Sequence, residues 1–124
     1  MVSPSSEAFK EWVGRQDGPK TDVVTPRLIE SFRATLGDAL FEGGPSAPLG
    51  LHWCLSPAIV APEEIGPDGH PEKGGFLPPI ALPRRMWAGG QVELYAPIEV
   101  GDEVQKLSHI KDVNFKQGRS GPLA

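Results

Sequence analysis

Apolar residues recur at helical spacing between Thr25 and Gly37, and together they mark one face of an amphipathic helix. Thr25 suits the N-cap, Pro26 the first helical position, and Gly37 the position just beyond the last turn. The apolar residues of this face are Leu28, Ile29, Phe32 and Leu36. The pattern predicts a helix.

Apolar residues occupy every second position of the segment 91–98, alternating with Gln91, Glu93, Tyr95 and Pro97, which predicts a half-buried strand. Its apolar positions are Val92, Leu94, Ala96 and Ile98. Pro97 places this strand near a sheet edge or a strand end, and the sequence EVGD at 99–102 predicts a turn.

The segment 103–115 is compatible with two structures. Its apolar residues recur every three positions, which a helix would also accept. The short turn before it favours a hairpin, so we predict a long bulged strand, followed by another turn at 118–122.

Two other segments are dominated by glycine, proline and short apolar runs. The segment 61–83 holds six prolines and four glycines, which predicts an ordered loop running over a surface. The run LGLHWCLS, at 49–56, is compatible with a strand or with a buried helical turn.

Length and composition fit one domain, residues 1–124, in a reducing, cytoplasmic protein. A net charge of −4 argues against a nucleic-acid or anionic-membrane surface, and no apolar run is long enough to span a bilayer. Cys54, the single cysteine, cannot form an internal disulfide. Small molecules or other proteins are the expected partners.

The predicted sheet lacks strands. A hairpin alone is marginal in water, and only Leu123 and Ala124 follow the last predicted turn. We therefore expect the chain to be a truncated piece or one part of a larger assembly. An unpaired strand edge invites aggregation, so a homodimer or heterodimer is expected.

Candidate chemistry concentrates in RRMWAGG, at 84–90. Arg84 and Arg85 could bind phosphates or a carboxylate, or form surface ion pairs with nearby acids. Adjacent strand residues point to opposite faces, so at most one of the two arginines should line a given pocket. Trp87, Gly89 and Gly90 could form a pocket wall or a bulge with a core tryptophan.

Several motifs in chain order carry a family resemblance. They are HWCL, GPDGHP, GGFLPPIALPRRMWAGG, PIEVGD and GRSGPL. From about Trp12 to Leu123 the chain resembles the N-terminal half of MaoC-like, type 2 hydroxyacyl-thioester dehydratases, in particular the double hot-dog mesaconyl-C4-CoA hydratase group.

The resemblance implies an α+β hot-dog fold, in which a curved antiparallel sheet wraps a helix. It implies a hydro-lyase that reversibly adds water to an acyl thioester of coenzyme A or acyl carrier protein, without a cofactor or metal. In two-hot-dog members the second half carries the chemistry, and the first half helps form the substrate pocket and packs on its twin. A dicarboxylic acyl-CoA, such as mesaconyl-CoA, is suggested by this likeness.

The catalytic signature of MaoC-like hydratases is Asp-x-Asn-Pro-x-His, in which one group activates water and the other moves a proton at the α-carbon. The corresponding sequence is DALFEG. Asp38 matches the aspartate, but Leu40 and Phe41 replace Asn and Pro, and Gly43 replaces the histidine. The expected catalytic pair therefore lies outside this chain.

Two alternatives remain at this point. A non-enzymatic acyl-CoA-binding or oligomerisation hot-dog would keep the fold without the chemistry. An unrelated small β-rich binding domain is the other. His52 beside Cys54 suggests thiol or metal chemistry, but a zinc site needs three or four suitably spaced ligands, and a packed aromatic-edge segment is the simpler interpretation.

Overall fold

A computed structural model describes residues 6–42 and 44–124. Its strands are β1 Gln16–Val23, β2 Glu103–His109, β3 Lys116–Gly118 and β4 Gly121–Leu123, and its main helix is α1 Pro26–Leu36. Short 3-10 helices cover Ser6–Trp12, Gly37–Ala39, Leu51–Cys54 and Pro62–Glu64. One main helix combined with antiparallel strands confirms the predicted α+β class, consistent with a small hot-dog-like fold.

Helix α1 begins and ends where its local sequence signals predict. Thr25 Oγ1 accepts a hydrogen bond of 3.1 Å from the Leu28 N–H, and Pro26 occupies the first turn. At the other end the Gly37 N–H donates to the Arg33 carbonyl, with Gly37 at φ +50°, a conformation that favours glycine. The helix prediction is confirmed.

Strand β1 was not predicted, and it supplies the partner of β2. The two strands form an antiparallel two-stranded sheet, flanked by a hydrogen bond from the Gly14 N–H to the Ile110 carbonyl and one from the Val24 N–H to the Asp102 carbonyl. Gly18 lies inside β1 at φ +102°, and a proline follows it. Both residues weaken any local strand signal, so the pairing with β2 stabilises the strand.

The predicted strand at 91–98 is wrong, because this segment has no regular secondary structure. The turn after it does form, with the Asp102 N–H donating to the Glu99 carbonyl at 3.1 Å. The predicted hairpin across this turn is therefore also wrong. The segment 103–115 forms the strand β2 only as far as His109.

The predicted turn at 118–122 is confirmed as a two-residue hairpin that joins β3 and β4. The register pairs Gly118 with Gly121 and Lys116 with Leu123. Gly121 has φ +127°, which a residue with a side chain rarely adopts. Glycine adopts this conformation, at the first residue after the turn, without the strain that a side chain would cause.

The chain divides into two compact units. The helix unit comprises residues 19–42, 44–57 and 89–106, and the loop unit comprises residues 6–18, 58–88 and 107–124. The buried apolar side chains of the helix unit are Val24, Ile29, Leu51 and Leu55. They place the 3-10 helix Leu51–Cys54 against α1. The run at 49–56, for which strand and helical turn were both open, is therefore a 3-10 turn.

A polar network anchors the end of this segment in the helix unit. Asp22 Oδ2 accepts from the Ser56 N–H at 2.8 Å, and Ser56 Oγ donates to the Lys20 carbonyl at 3.2 Å. Lys106 Nζ donates to the Ser56 carbonyl at 3.2 Å. Ser56 is buried and has φ +50°, so this network holds a non-glycine residue in the left-handed region.

This network should make stability depend on pH through Asp22. The hydrogen bonds from the Ser56 and Val23 N–H groups lower the pKa of Asp22 below its model-peptide value of 3.8. The carboxylate therefore stabilises the fold fully above about pH 3.8, and this contribution is lost as the pH falls through the lower folded-state pKa. Asp22→Asn should reduce the free energy of unfolding at pH 7, and the difference from the parent should shrink below pH 3.8.

Equilibrium urea unfolding at several pH values, on parent and variant, measures that difference. Asp38→Asn is the matched control, because the Asp38 carboxylate makes no hydrogen bond to any residue in the described ranges. It should leave the free energy of unfolding nearly unchanged at pH 7. An Asp22→Asn effect that stayed constant down to pH 2.5 would contradict the assigned hydrogen bonds.

The loop unit confirms the prediction of an ordered loop at 61–83. A single bridge pairs Ile65 with Pro71, and the Gly66 N–H donates to the His70 carbonyl at 2.7 Å. Elsewhere in this unit the rings of Phe9 and Phe115 lie 5.6 Å apart. Backbone hydrogen bonds and ion pairs stabilise the loop.

Candidate functional site

The helix unit contains an open, mostly apolar pocket of about 320 Å³. Its walls are residues 46–52 and 94–98, with Phe41 and Gly44. The Ala47 N–H donates to the Ile98 carbonyl at 2.8 Å and joins the two wall segments. This volume is at the lower end of the range that small-molecule sites occupy. We call this site the apolar pocket.

Few polar groups border the apolar pocket. Ser46 Oγ lies 3.3 Å from Glu99 Oε1, and the ring of His52 lies 4.5 Å from that of Trp53. Tyr95 Oη donates to Glu93 Oε2, and this hydrogen bond is the main reason why the pKa of Tyr95 is raised. Tyr95 is therefore a protonated donor at neutral pH.

The loop unit contains a second concavity, of about 430 Å³, which we call the cationic cavity. It is lined by residues 66–68, 72–73 and 82–85. Both Arg84 and Arg85 line it. The expectation that at most one of them would line a given pocket is therefore wrong, because the segment is not a strand and its side chains do not alternate between two faces.

The two arginines have different surroundings. Arg85 Nε is buried and lies 3.0 Å from Asp68 Oδ2, an ion pair without the alignment of a hydrogen bond, and Arg85 Nη2 donates to the Pro71 carbonyl at 3.3 Å. The ion-pair interpretation is thus correct for Arg85. Arg84 is exposed and has no hydrogen-bond or ion-pair partner within residues 6–42 and 44–124.

The rest of RRMWAGG is exposed. Trp87 is 69% exposed, so the alternative of a core tryptophan is wrong, and the absence of a strand at 84–90 excludes the bulge. Gly89 and Gly90 belong to the helix unit and are exposed, with open space where a Gly89 Cβ would lie. Substrate binding by Arg84, Arg85, Trp87, Gly89 and Gly90 stays a prediction.

The other sequence candidates show no catalytic grouping in the described residues. Asp38 is exposed in the turn Gly37–Ala39, and Gly43 lies outside the described residues. Cys54 is an exposed free thiol. Within residues 6–42 and 44–124, no three His, Cys, Asp or Glu side chains are grouped as metal ligands.

Sequence patterns did not indicate the apolar pocket. Its walls come from two segments more than forty residues apart in the chain, and the strand period of the segment 91–98 predicts a strand there, not the wall of a pocket. The run at 49–56 and the residues Leu94 and Ile98 indicate only secondary structure in the sequence. A pocket between loops depends on tertiary contacts, which hydrophobic periodicity does not reveal.

Comparison with known proteins decides the family. The family model for hydroxyacyl-thioester dehydratase type 2 matches residues 50–122, more than half of the chain. The chain belongs to the type 2 hydroxyacyl-thioester dehydratases. Both cavities draw residues from the matched segment, and the motifs that carried the resemblance from HWCL onward lie within it, apart from the last residue of GRSGPL.

A curated relative supports this family assignment. The chain is 35% identical to mesaconyl-C(4)-CoA hydratase of Chloroflexus aurantiacus over 97% of its own length. It spans 43% of the length of that relative, which is less than half. The family is a hot-dog family of acyl-thioester hydratases and dehydratases, so the predicted fold and the hydro-lyase family are confirmed.

The structure contains no candidate membrane-spanning helix in the part of the chain that it describes. The longest described helix, α1, has 11 residues, and about 20 are needed to cross the hydrocarbon core.

Proposed function

We propose that this chain is the acyl-thioester-binding, non-catalytic half of an enoyl-CoA hydratase that acts on a dicarboxylic acyl-CoA of the mesaconyl type. The observation that carries the proposal is the 35% identity to a mesaconyl-C(4)-CoA hydratase, of which the chain spans only 43%. More than half of such an enzyme would lie outside these residues.

In the proposed reaction, water adds across the Cα=Cβ bond of the enoyl thioester. The hydroxyl bonds to Cβ and a proton bonds to Cα, which requires a group that activates water and a group that moves the proton. The signature position at 38–43 retains an aspartate but has glycine at the histidine position. Glycine has no side chain that could transfer a proton, so we place the catalytic pair in the other half.

The apolar pocket supports acyl binding by this half. Its walls present Phe41, Leu49, Leu94 and Ile98, which suit the hydrocarbon part of an acyl group. Pro48 and Pro97 restrict the two loops that form it, so less conformational entropy is lost when a ligand binds. We propose that the acyl group binds in the apolar pocket.

We also propose a second hot-dog domain or subunit as the partner of this chain, in a double hot-dog or dimer in the cytoplasm. Large apolar side chains are exposed in both units, among them Trp53 and Val100 in the helix unit and Ile59 and Met86 in the loop unit. A second domain that covered such side chains would remove their apolar surface from water. The part of the relative that this chain does not span is a candidate to cover this surface.

A hydration assay on the complete natural polypeptide tests the proposed function. Mesaconyl-CoA and crotonyl-CoA are supplied separately, and loss of the conjugated enoyl-thioester absorbance is followed. We expect hydration of both, with the higher kcat/KM for the dicarboxylic substrate. Thioester binding without turnover of either substrate would contradict the enzymatic proposal and favour the binding-module alternative.

A further inference from the structure

The cationic cavity contains more positive than negative side chains. Lys73, Arg84 and Arg85 line it together with Asp68 and Glu72, which gives a formal balance of +1 among these residues. A cavity of about 430 Å³ is large enough for a phosphate group or a carboxylate with part of the molecule that carries it. Which cation is available to a ligand depends on the contacts that each one already makes.

Arg85 already contacts other residues of the loop unit. Its buried Nε faces Asp68 Oδ2 at 3.0 Å, and its Nη2 donates to the Pro71 carbonyl. Asp68 is itself fixed, because its Oδ1 accepts from the His70 N–H at 3.1 Å and His70 Nδ1 lies 3.6 Å from Oδ2. The His70 N–H and, to a lesser degree, the charge of Arg85 lower the pKa of Asp68 against the opposing effect of desolvation, so the pair stays ionised at neutral pH.

Lys73 also makes hydrogen bonds within the loop unit. Its Nζ donates to the Ile80 carbonyl at 2.6 Å and to the Leu82 carbonyl at 2.9 Å. These two hydrogen bonds attach the segment 80–82, which ends two residues before Arg84, to Lys73. Two of the three N–H donors of Lys73 are therefore used.

Arg84 is the cation of this cavity whose guanidinium donors are all unused by the described residues. Its guanidinium has no hydrogen-bond or ion-pair partner among residues 6–42 and 44–124, and its neighbours on both sides in the cavity wall are held in place. A guanidinium presents its N–H groups as a planar fork that matches two oxygens of a phosphate or carboxylate. A free fork on a fixed wall is a suitable anion site.

We propose that Arg84 binds an anionic group of the thioester substrate in the cationic cavity, through paired N–H donors to two oxygens. Arg85 and Lys73 hold the wall and contribute charge, and Glu72 opposes binding by repulsion. This inference rests on the proposed function for the identity of the ligand. Two parts of such a substrate carry suitable oxygens, namely the phosphates of coenzyme A and the free carboxylate of a dicarboxylic acyl group.

Calorimetric titration of the complete natural polypeptide tests the proposal with two probes. Adenosine 3′,5′-bisphosphate represents the phosphates, and mesaconate represents the dicarboxylic acyl group. Arg84→Gln should weaken binding of at least one probe by about tenfold or more, because a charge-assisted bidentate pair is lost. Glu72→Gln should tighten binding of the same probe by a few-fold, because it removes a like charge beside the site.

The matched control is Arg119→Gln, which removes an exposed arginine from the β3–β4 turn of the same unit, outside the cavity. It should change probe affinity by less than about twofold at the same ionic strength. A loss confined to the bisphosphate assigns the site to coenzyme A phosphates, and a loss confined to mesaconate assigns it to the acyl carboxylate. Equal probe affinities for parent and Arg84→Gln overturn the proposal.

Hydration kinetics separate this inference from the proposed function. If Arg84→Gln hydrates mesaconyl-CoA with unchanged kcat and KM, the Arg84 assignment fails while the proposed function stands. If the parent neither binds nor hydrates any acyl-CoA, the proposed function fails. In that case, binding of the bisphosphate or mesaconate that depends on Arg84 would still support an anion site in the cavity.

Discussion

Leu51→Ala is expected to lower the free energy of unfolding by about 2–5 kcal/mol, the usual cost of removing a buried leucine side chain. Leu51 is only 1% exposed and lies in the core cluster with Val24, Ile29 and Leu55. This core is small, so few neighbours are available to close the cavity that alanine would leave. Urea unfolding of parent and variant, followed by circular dichroism, measures the loss.

Leu49→Ala is the matched control for this effect, because it makes the same chemical change two residues earlier. Leu49 is 50% exposed, so its truncation should cost less than about 1 kcal/mol. Similar losses for Leu49→Ala and Leu51→Ala would show that Leu51 is not the anchor of the 3-10 helix Leu51–Cys54. Because Leu51 and His52 both line the apolar pocket, Leu51→Ala should also bind the proposed substrate less tightly.

Leu94→Trp is expected to raise KM for enoyl-CoA hydration by about tenfold or more. Leu94 lines the apolar pocket and is 52% exposed, so an indole can be accommodated there without entering the core. The larger side chain would fill space proposed for the acyl group, and a tenfold change in affinity corresponds to about 1.4 kcal/mol. Steady-state kinetics on the complete natural polypeptide measure the change.

The matched control for Leu94→Trp is Leu107→Trp, in strand β2. Leu107 is 53% exposed and does not line the apolar pocket, so the same substitution there should change KM by less than about twofold. If Leu94→Trp had the same KM as the parent and as Leu107→Trp, the acyl group would not bind in the apolar pocket. A fall in kcat alone, with KM unchanged, would equally exclude the pocket as the acyl site.

Local sequence signals predicted the parts of the fold that local interactions stabilise. Helix α1 is bounded by Thr25 and Gly37 because a side-chain cap and a positive φ act within one turn of the chain. The hairpin at 118–122 is likewise set by its own glycines. These elements need no distant partner to be recognised.

Strands need a partner that periodicity does not identify. The alternation at 91–98 predicted a strand, but β2 pairs instead with β1, which ends eighty residues before β2 begins. Gly18 and the proline after it are unfavourable in strands, so propensity does not predict β1. Non-local pairing therefore decided which segments became strands.

The candidate site was predictable in residue type but not in arrangement. The pair Arg84–Arg85 indicated anion binding, yet the sequence could not show that Asp68 engages Arg85 and leaves Arg84 available. The Asp68 side chain comes from the GPDGHP loop, which contributed to the family resemblance but had no assigned role. Its contact with Arg85 depends on how the loop 61–83 folds back on itself.

The central claim, that the catalytic pair lies outside this chain, is tested most directly by kcat of Asp38→Asn in the complete natural polypeptide. Asp38 is the residue that matches the catalytic signature, and it is exposed in the turn Gly37–Ala39. We predict hydration of mesaconyl-CoA with kcat within about threefold of the parent. Loss of a catalytic acid or base typically costs 10²–10⁴-fold, so a fall of about a hundredfold or more in a folded variant would contradict the account.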